Sequence, residues 1–249
     1  MKDEQLLRYS RQIALPEIDI GGQQKINSAK VLVIGLGALG SVAANYLCRA
    51  GTGNMGICDF DKVNHSNLPR QILYKTSDVG KSKVKQALKE LSSINPDCNL
   101  VGIHKELNLE LLQGLVTDYD LVVDATDNFN ARYAINQICL VEKTFLVSGS
   151  ALGWSGQIIV FDYFKLNSPC YECCFGYSKE EDLSCSEAGI MAPVAGIIGS
   201  LQALEAIKKI TELDNENEDR ILKEFNFLTG KTKRIKVRHD PRCRICGVG

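Results

Sequence analysis

Lys30-Val31-Leu32-Val33-Ile34-Gly35-Leu36-Gly37-Ala38-Leu39-Gly40 decides the fold. After Lys30 the run is aliphatic, mostly β-branched, and stops at a glycine, as a strand buried on both faces does. Gly35 to Gly40 fits G-x-G-x-x-G, and Gly40 to Ala50 has the composition of a helix. Strand, glycine turn and helix in that order make a cradle for a phosphate. Small residues let the backbone approach, and the helix N-terminus offers unpaired N–H groups to an anion. Asn54 to Cys58 reads as the second strand. It ends at Asp59, 24 residues after Gly35, a position suited to hydrogen-bond a ribose hydroxyl. The plainer alternative is a glycine turn that only packs helix on strand.

Working outward, Lys81 to Leu91 places Val84, Leu88 and Leu91 at helical spacing with lysines opposite. Asp120 to Asp124 reads as a strand and Ala131 to Val141 as a helix. Phe145 to Ser148 and Gln157 to Tyr163 bring the strands to at least five. Strands alternating with helices predict a Rossmann-like, doubly wound, mainly parallel α/β sheet covered on both faces. Residues 1–28 read as helical pieces packed outside the sheet, and 29–166 as a nucleotide-binding core. Residues 167–249 hold a long cysteine-rich loop, a buried helix near Pro193 to Ile210 and a short antiparallel β segment around Arg234 to Arg238.

Twenty-nine basic against thirty acidic residues leave a formal charge of -1. This argues against a general basic field for nucleic acid. The apolar run from Ile190 to Leu204 is broken by Pro193, Gly196 and Gly199. A bilayer span needs about 20 mostly apolar residues, so no membrane partner is expected. The opening residues lack a signal-peptide core, and a cytoplasmic location is the expectation.

Polar groups crowd the carboxyl ends of the strands, where open α/β sheets bind ligands. Asp61, Asn64, Asn67, Arg70, Gln71, Lys81 and Lys83 follow the second strand, and Asp124-Ala125-Thr126-Asp127-Asn128 ends a later one. Carboxylates beside Arg and Lys suit Mg2+ and a triphosphate, with ATP as the nucleotide. Taken singly, Asp127 also suits a helix N-cap, and Arg70 or Lys83 a surface charge. The three histidines, His65, His104 and His239, have no evident catalytic context, which disfavours a nicotinamide dehydrogenase.

Several motifs in order carry a more specific likeness. Arg8-Tyr9-Ser10-Arg11-Gln12, the Gly35–Gly40 turn, Asp59-Phe60-Asp61, Ser66-Asn67-Leu68-Pro69-Arg70-Gln71, Asp124–Asn128 and Glu187-Ala188-Gly189-Ile190-Met191-Ala192-Pro193 resemble the MoeB/ThiF family, bacterial relatives of the ubiquitin-activating enzymes. The resemblance spans essentially the whole chain. It implies an adenylyltransferase that binds Mg·ATP and a small ubiquitin-fold sulfur carrier ending in Gly-Gly. The carrier's terminal carboxylate attacks the α-phosphate, pyrophosphate leaves, and sulfur comes later from a separate donor protein. By matching position, Asp59 holds the ribose, Asn67, Arg70 and Lys83 contact the phosphates, and Asp127 serves the magnesium and the reacting centre. Arg11 matches an arginine that reaches into a neighbouring subunit's site, which implies a homodimer. Two positions depart from the pattern. Ala38 replaces a glycine, tolerable at negative φ, and Pro69 stands where the family often has Gln.

Cys170-x-x-Cys173 and Cys243-x-x-Cys246 are two knuckles of the kind that together make a four-cysteine zinc site. Four thiolates leave no place for a water, so the site is structural. Disulfides are the alternative, disfavoured in a reducing compartment. Cys174 is a spare. Cys185 lies in Ser184-Cys185-Ser186-Glu187, where the resemblance implies a thiol able to bond the carrier or its sulfur. The expected product feeds molybdopterin synthesis, with the thiamine-pathway carrier as the alternative. With no rhodanese-like segment read after Gly249, a separate sulfur donor is the expectation. More distant rivals are an NAD-dependent oxidoreductase and an inactive nucleotide-binding adaptor.

Overall fold

The computed structural model describes residues 1–177, 189–213 and 220–247. Its frame is one sheet. Strands β1 (Lys30–Ile34), β2 (Asn54–Cys58), β3 (Asn99–Ile103), β4 (Leu121–Asp124) and β5 (Phe145–Leu152) pair in parallel. Three antiparallel strands, β6 (Ser155–Phe161), β7 (Ile221–Asn226) and β8 (Lys231–Lys236), extend it in the order β3-β2-β1-β4-β5-β6-β7-β8.

The alternation of side chains along β1 shows why both faces are covered. Val31 and Val33 join a core with Ala43, Leu47, Val84, Leu91 and Ala203. These come from α4 (Gly40–Ala50), α5 (Lys83–Ile94) and the long helix α9 (Ala192–Ile210). Leu32 and Ile34 join the opposite core with Leu112, Val116 and Ile135, from α6 (Leu109–Val116) and α7 (Phe129–Val141). A short helix α8 (Tyr171–Phe175) extends that second layer.

Three short helices open the chain: α1 (Asp3–Arg8), α2 (Ser10–Ile13) and α3 (Asp19–Ser28). They seal the amino edge of the sheet. The Tyr9 hydroxyl accepts from Asn95 Nδ2 at 2.9 Å, and Gln12 and Gln23 both donate to the Ala50 carbonyl, at 3.0 and 2.9 Å.

The doubly wound sheet is as expected, and β1, β2 and α4 fall on their expected residues. The sequence reading missed β3, α6 and β7, and gave β5 only its first half. Within the expected loop after Asn167, Tyr171–Phe175 is helical. Among the described residues no helix is long and apolar enough to cross a membrane. Helix α9 is buried along one side, through Ala195, Ile198, Gln202 and Ala206, while Ile197 and Leu204 stay exposed.

Helix α9 lies against α4 through a glycine. A methyl at Gly199 would sit 2.5 Å from the Leu39 carbonyl oxygen and 2.9 Å from Val42 Cβ. Such overpacking costs ~1–3 kcal/mol, and a domain of this size shifts its Tm by roughly 2–4 °C per kcal/mol. Gly199→Ala is therefore expected to lower the Tm by several degrees in a thermal melt. An unchanged Tm would show that the helix can step off the turn at no cost.

Candidate active site

The sheet reverses its order between β1 and β4, and the chain leaves those strands on opposite faces. Open α/β sheets bind ligands in the crevice such a reversal leaves. A cavity of about 680 Å³ lies there, within the ~300–1,000 Å³ typical of small-molecule sites. Gly35, Gly37, Ala38, Asp59, Asp61, Asn67, Arg70, Lys83, Asp127 and Asn128 all line it. A smaller hollow of about 310 Å³ under α1, lined by Gln5, Tyr9 and Asp97, gathers no comparable set.

The glycines of the turn divide the work. Gly35 has φ +88°, and a Cβ there would stand 2.7 Å from the Ala125 carbonyl oxygen. Gly40 does not face the cavity. A Cβ on it would run into the Gly35 carbonyl, so it lets α4 close on β1. Gly37 leaves open space toward the cavity, the nearest atom to a hypothetical Cβ being Gln71 Nε2 at 3.8 Å. Ala38 is not among the residues with positive φ, so its methyl is tolerated as the sequence required.

Asp59 is held rigidly. Its Oδ2 accepts from the Leu36 N–H and its Oδ1 from the Asp61 N–H, both at 2.8 Å. This ties the carboxylate to the turn while each oxygen keeps a further lone pair. The Tyr74 hydroxyl donates to the Leu36 carbonyl at 2.9 Å. Burial first, and the Asp59 and Asp61 charges second, hold its phenol well above the ordinary range, so it stays a donor. Burial likewise pushes the Cys58 thiol up to about 12, helped by Asp59. A protonated thiol is no nucleophile.

Lys83 is not a surface charge. It is 5% exposed and is the first residue of α5, where the helix dipole disfavours a cation. Its Nζ bonds Asp61 Oδ2 at 2.8 Å and lies 3.9 Å from Asp59 Oδ2. A buried cation placed against the dipole breaks a local rule, and such breaches cluster at functional sites. Arg70 is half-buried, with Nη1 donating to the Ser66 carbonyl at 2.6 Å. Asn67 Oδ1 accepts from the Asn64 N–H at 3.0 Å.

Across the cavity, the helix cap is Asn128, whose side chain accepts from the Ala131 N–H at 2.9 Å. That leaves Asp127, the alternative cap, exposed at the rim. The sequence reading overlooked Arg132. It is buried, lines the cavity, and donates from Nη2 to the Thr126 carbonyl at 2.8 Å. The helical pattern of α7 gave no sign of it, because the arginine sits among apolar neighbours. None of the three histidines lines the cavity. Arg11 is exposed on α2, beside the Tyr9 and Gln12 contacts that seal the opposite edge of the sheet. It stands apart from its own chain's cavity. Cys185 lies outside the described residues.

The two cysteine knuckles meet. The Sγ atoms of Cys170, Cys173, Cys243 and Cys246 lie within 4.8 Å of one another. Neighbouring Sγ pairs stand 3.3, 3.6 and 4.0 Å apart. A tetrahedral ion with Zn–S bonds of ~2.3 Å separates its sulfurs by roughly 3.8 Å, while a disulfide needs ~2.05 Å. The donor set therefore fits zinc. Cys174 stands outside it.

The ThiF family model matches residues 9–245. The chain is 40% identical over 247 residues to the molybdopterin-synthase adenylyltransferase of Salmonella typhimurium strain LT2, covering 99% of this chain and 98% of that one. It is 38% identical, over 99% and 97%, to the sulfur carrier protein ThiS adenylyltransferase of Escherichia coli K12. Among solved structures, E. coli MccB with MccA-N7isoASN superposes with a TM-score of 0.85 at 22% identity, over 98% of this chain and 75% of that one. Matched from Tyr9 almost to its end, and aligned with full-length relatives, the chain belongs to the ThiF family.

Proposed function

We propose that this enzyme uses ATP to adenylate the C-terminal Gly-Gly carboxylate of a small ubiquitin-fold sulfur carrier, with the molybdopterin-pathway carrier as its substrate. The observation that carries the reading is the cavity at the β1–β4 reversal. It gathers the glycine turn, a ribose-height carboxylate and two cations in a chain alike end to end to molybdopterin-synthase adenylyltransferase. The slightly lower identity to the ThiS enzyme keeps the thiamine-pathway carrier as the second reading.

In this reading Asp59 accepts from the ribose hydroxyls with its free lone pairs, and the turn from Gly35 to Gly40 receives the phosphates. The carrier's carboxylate oxygen attacks the α-phosphorus. The bond to the bridging oxygen breaks, and its electrons leave with pyrophosphate. Lys83 and Arg70, with Asn67, meet the charge that grows on the departing oxygens. Preorganised charge of this kind costs little reorganisation at the moment of reaction. Magnesium, held by Asp127, would supply further neutralisation on the phosphates. Zinc, held by the four cysteines, would tie residues 243–246 to α8 and take no part in the chemistry. A separate protein would supply the sulfur.

Arg11 enters through a second subunit. The family resemblance implies this role, and the place of Arg11 at the edge of the sheet opposite its own cavity agrees with it. Tyr46 on α4 and Ile197 and Leu204 on α9 leave apolar surface exposed on two packed helices, which suits a homodimer contact.

Purified enzyme, carrier and labelled pyrophosphate test the reading. Label should enter ATP only when the carrier is present, and no exchange at saturation would remove the reading. Asp127→Ala and Arg11→Ala should each lose ~10²-fold or more in exchange rate. Mixing the two variants should restore activity, since a mixed dimer holds one intact site; two inactive parents whose mixture stays inactive would sink the shared site. Replacing Cys243 and Cys246 by Ser should release the metal and lower the Tm, read by elemental analysis and a melt. A metal-free native protein of equal stability would overturn the zinc assignment.

A further inference from the structure

Asp127 projects from a loop of three residues between β4 and Asn128, and something must fix that loop. The buried residue just before it does so. Asp124 ends β4 with 1% exposure. Although the sequence groups it with the ligand-facing carboxylates, it turns inward. Its Oδ1 accepts from the Thr126 N–H at 3.0 Å and from the Thr126 hydroxyl at 2.7 Å. Its Oδ2 accepts from the Ser148 hydroxyl on β5 at 3.0 Å. Both oxygens are engaged within the protein, and neither is offered to a ligand.

The same strand end is gripped from α9. Gln202, fully buried, donates from Nε2 to the Asp124 carbonyl at 2.6 Å. It reaches this position only because Gly149 has no side chain; a Cβ there would stand 2.7 Å from the Gln202 Cδ. From the far side, Arg132 donates to the Thr126 carbonyl at 2.8 Å. Thr126 is thus held at its N–H, its hydroxyl and its carbonyl, and the next residue is Asp127.

We propose that Asp124 and Thr126 are positioning residues for Asp127. The buried carboxylate and the threonine hydroxyl clamp the β4–α7 loop so that the Asp127 carboxylate stands where a divalent cation on the nucleotide's phosphates needs it. The inference rests on the reading of Asp127 given above. Its chemistry is specific. The hydroxyl bond of Thr126 adds to a turn that its N–H already closes, so it restricts where the next side chain points without being needed for the fold. Displacements on the scale of 1 Å at a reacting centre cost about a hundredfold in rate.

Thr126→Val removes the hydroxyl and keeps the β-branched shape; Thr126→Ser keeps the hydroxyl. For Thr126→Val we expect carrier-dependent exchange to fall between about tenfold and a hundredfold in kcat. The KM for ATP should stay within about twofold, and the half-saturating Mg2+ concentration should rise. Mn2+ binding to the ATP-loaded enzyme, followed by electron paramagnetic resonance, should weaken in parallel. Thr126→Ser should restore all three quantities to near the parent values. Parent-like exchange and Mn2+ affinity in Thr126→Val would overturn the proposal. An equal defect in Thr126→Ser, or a loss confined to the KM for ATP, would overturn it too. Asp127→Asn is the control on the underlying reading. Full exchange by that variant would overturn the role of Asp127 itself, a result distinct from any shown by Thr126.

Discussion

Everything at the ligand-binding edge depends on places where a methyl group does not fit. Gly35 lies on the Ala125 carbonyl, Gly40 on the Gly35 carbonyl and Gly199 on the Leu39 carbonyl. Together these approaches bring β1, β4, α4 and α9 to one point. Dense interiors transmit small shifts rather than absorb them. Here that rigidity is useful, because the turn meant for phosphate and the loop that carries Asp127 share a wall. Helix α9 is the common strut, touching the turn through Gly199 and the strand end through Gln202.

How much of this was legible follows from how each element is buried. Strands β1, β2 and β4 each have four consecutive buried residues, read from an unbroken aliphatic run in β1 and from short, nearly charge-free apolar runs in β2 and β4. β3 is an edge strand whose five residues are exposed or half-exposed, and Gly102 weakens its pattern further. α6 is short and carries Gly114. β8 is exposed at all six positions and reads Lys-Thr-Lys-Arg-Ile-Lys. Lysines on an outer strand deter pairing with other chains, and that same defence erases the alternation by which a strand is read.

The site divides along similar lines. Gly35, Asp59 and the cysteine knuckles were legible because their spacing along the chain carries the signal, whereas Lys83 was singled out only by the family resemblance. In space the knuckles close across 73 positions, yet each half is a local word. Arg132, Gln202 and the inward turn of Asp124 had no such word. Gln202 meets Asp124 across 78 positions, and nothing near Gln202 in the sequence shows that a glycine on β5 makes room for its amide. Long-range polar contacts are decided by the packing of elements, which a single chain's periodicity does not encode.

The electrostatic arrangement explains why such a pocket needs its anionic ligand. Asp59 and Asp61 face Lys83 on one side, with Arg70 beside them and Asp127 opposite. Without a nucleotide, Lys83 balances carboxylates against the dipole of its own helix. A triphosphate brought to the turn is a further anion near carboxylates, tolerable only where cations and backbone N–H groups outweigh them. On the glycine side Lys83 and Arg70 only match Asp59 and Asp61 in number, so the N–H groups of the turn and helix N-terminus must tip the balance. Across the cavity, the exposed Asp127 is the carboxylate proposed to hold a divalent cation. Each wall of the cavity carries both signs, Asp59 and Asp61 with Lys83 and Arg70 on the glycine side and Asp127 with the buried Arg132 across from it. Bond cleavage moves charge from the α-phosphorus toward the leaving pyrophosphate. In the proposed reaction, cations and N–H groups already in place would meet that charge without reorganising, and so favour the transition state over the ground state.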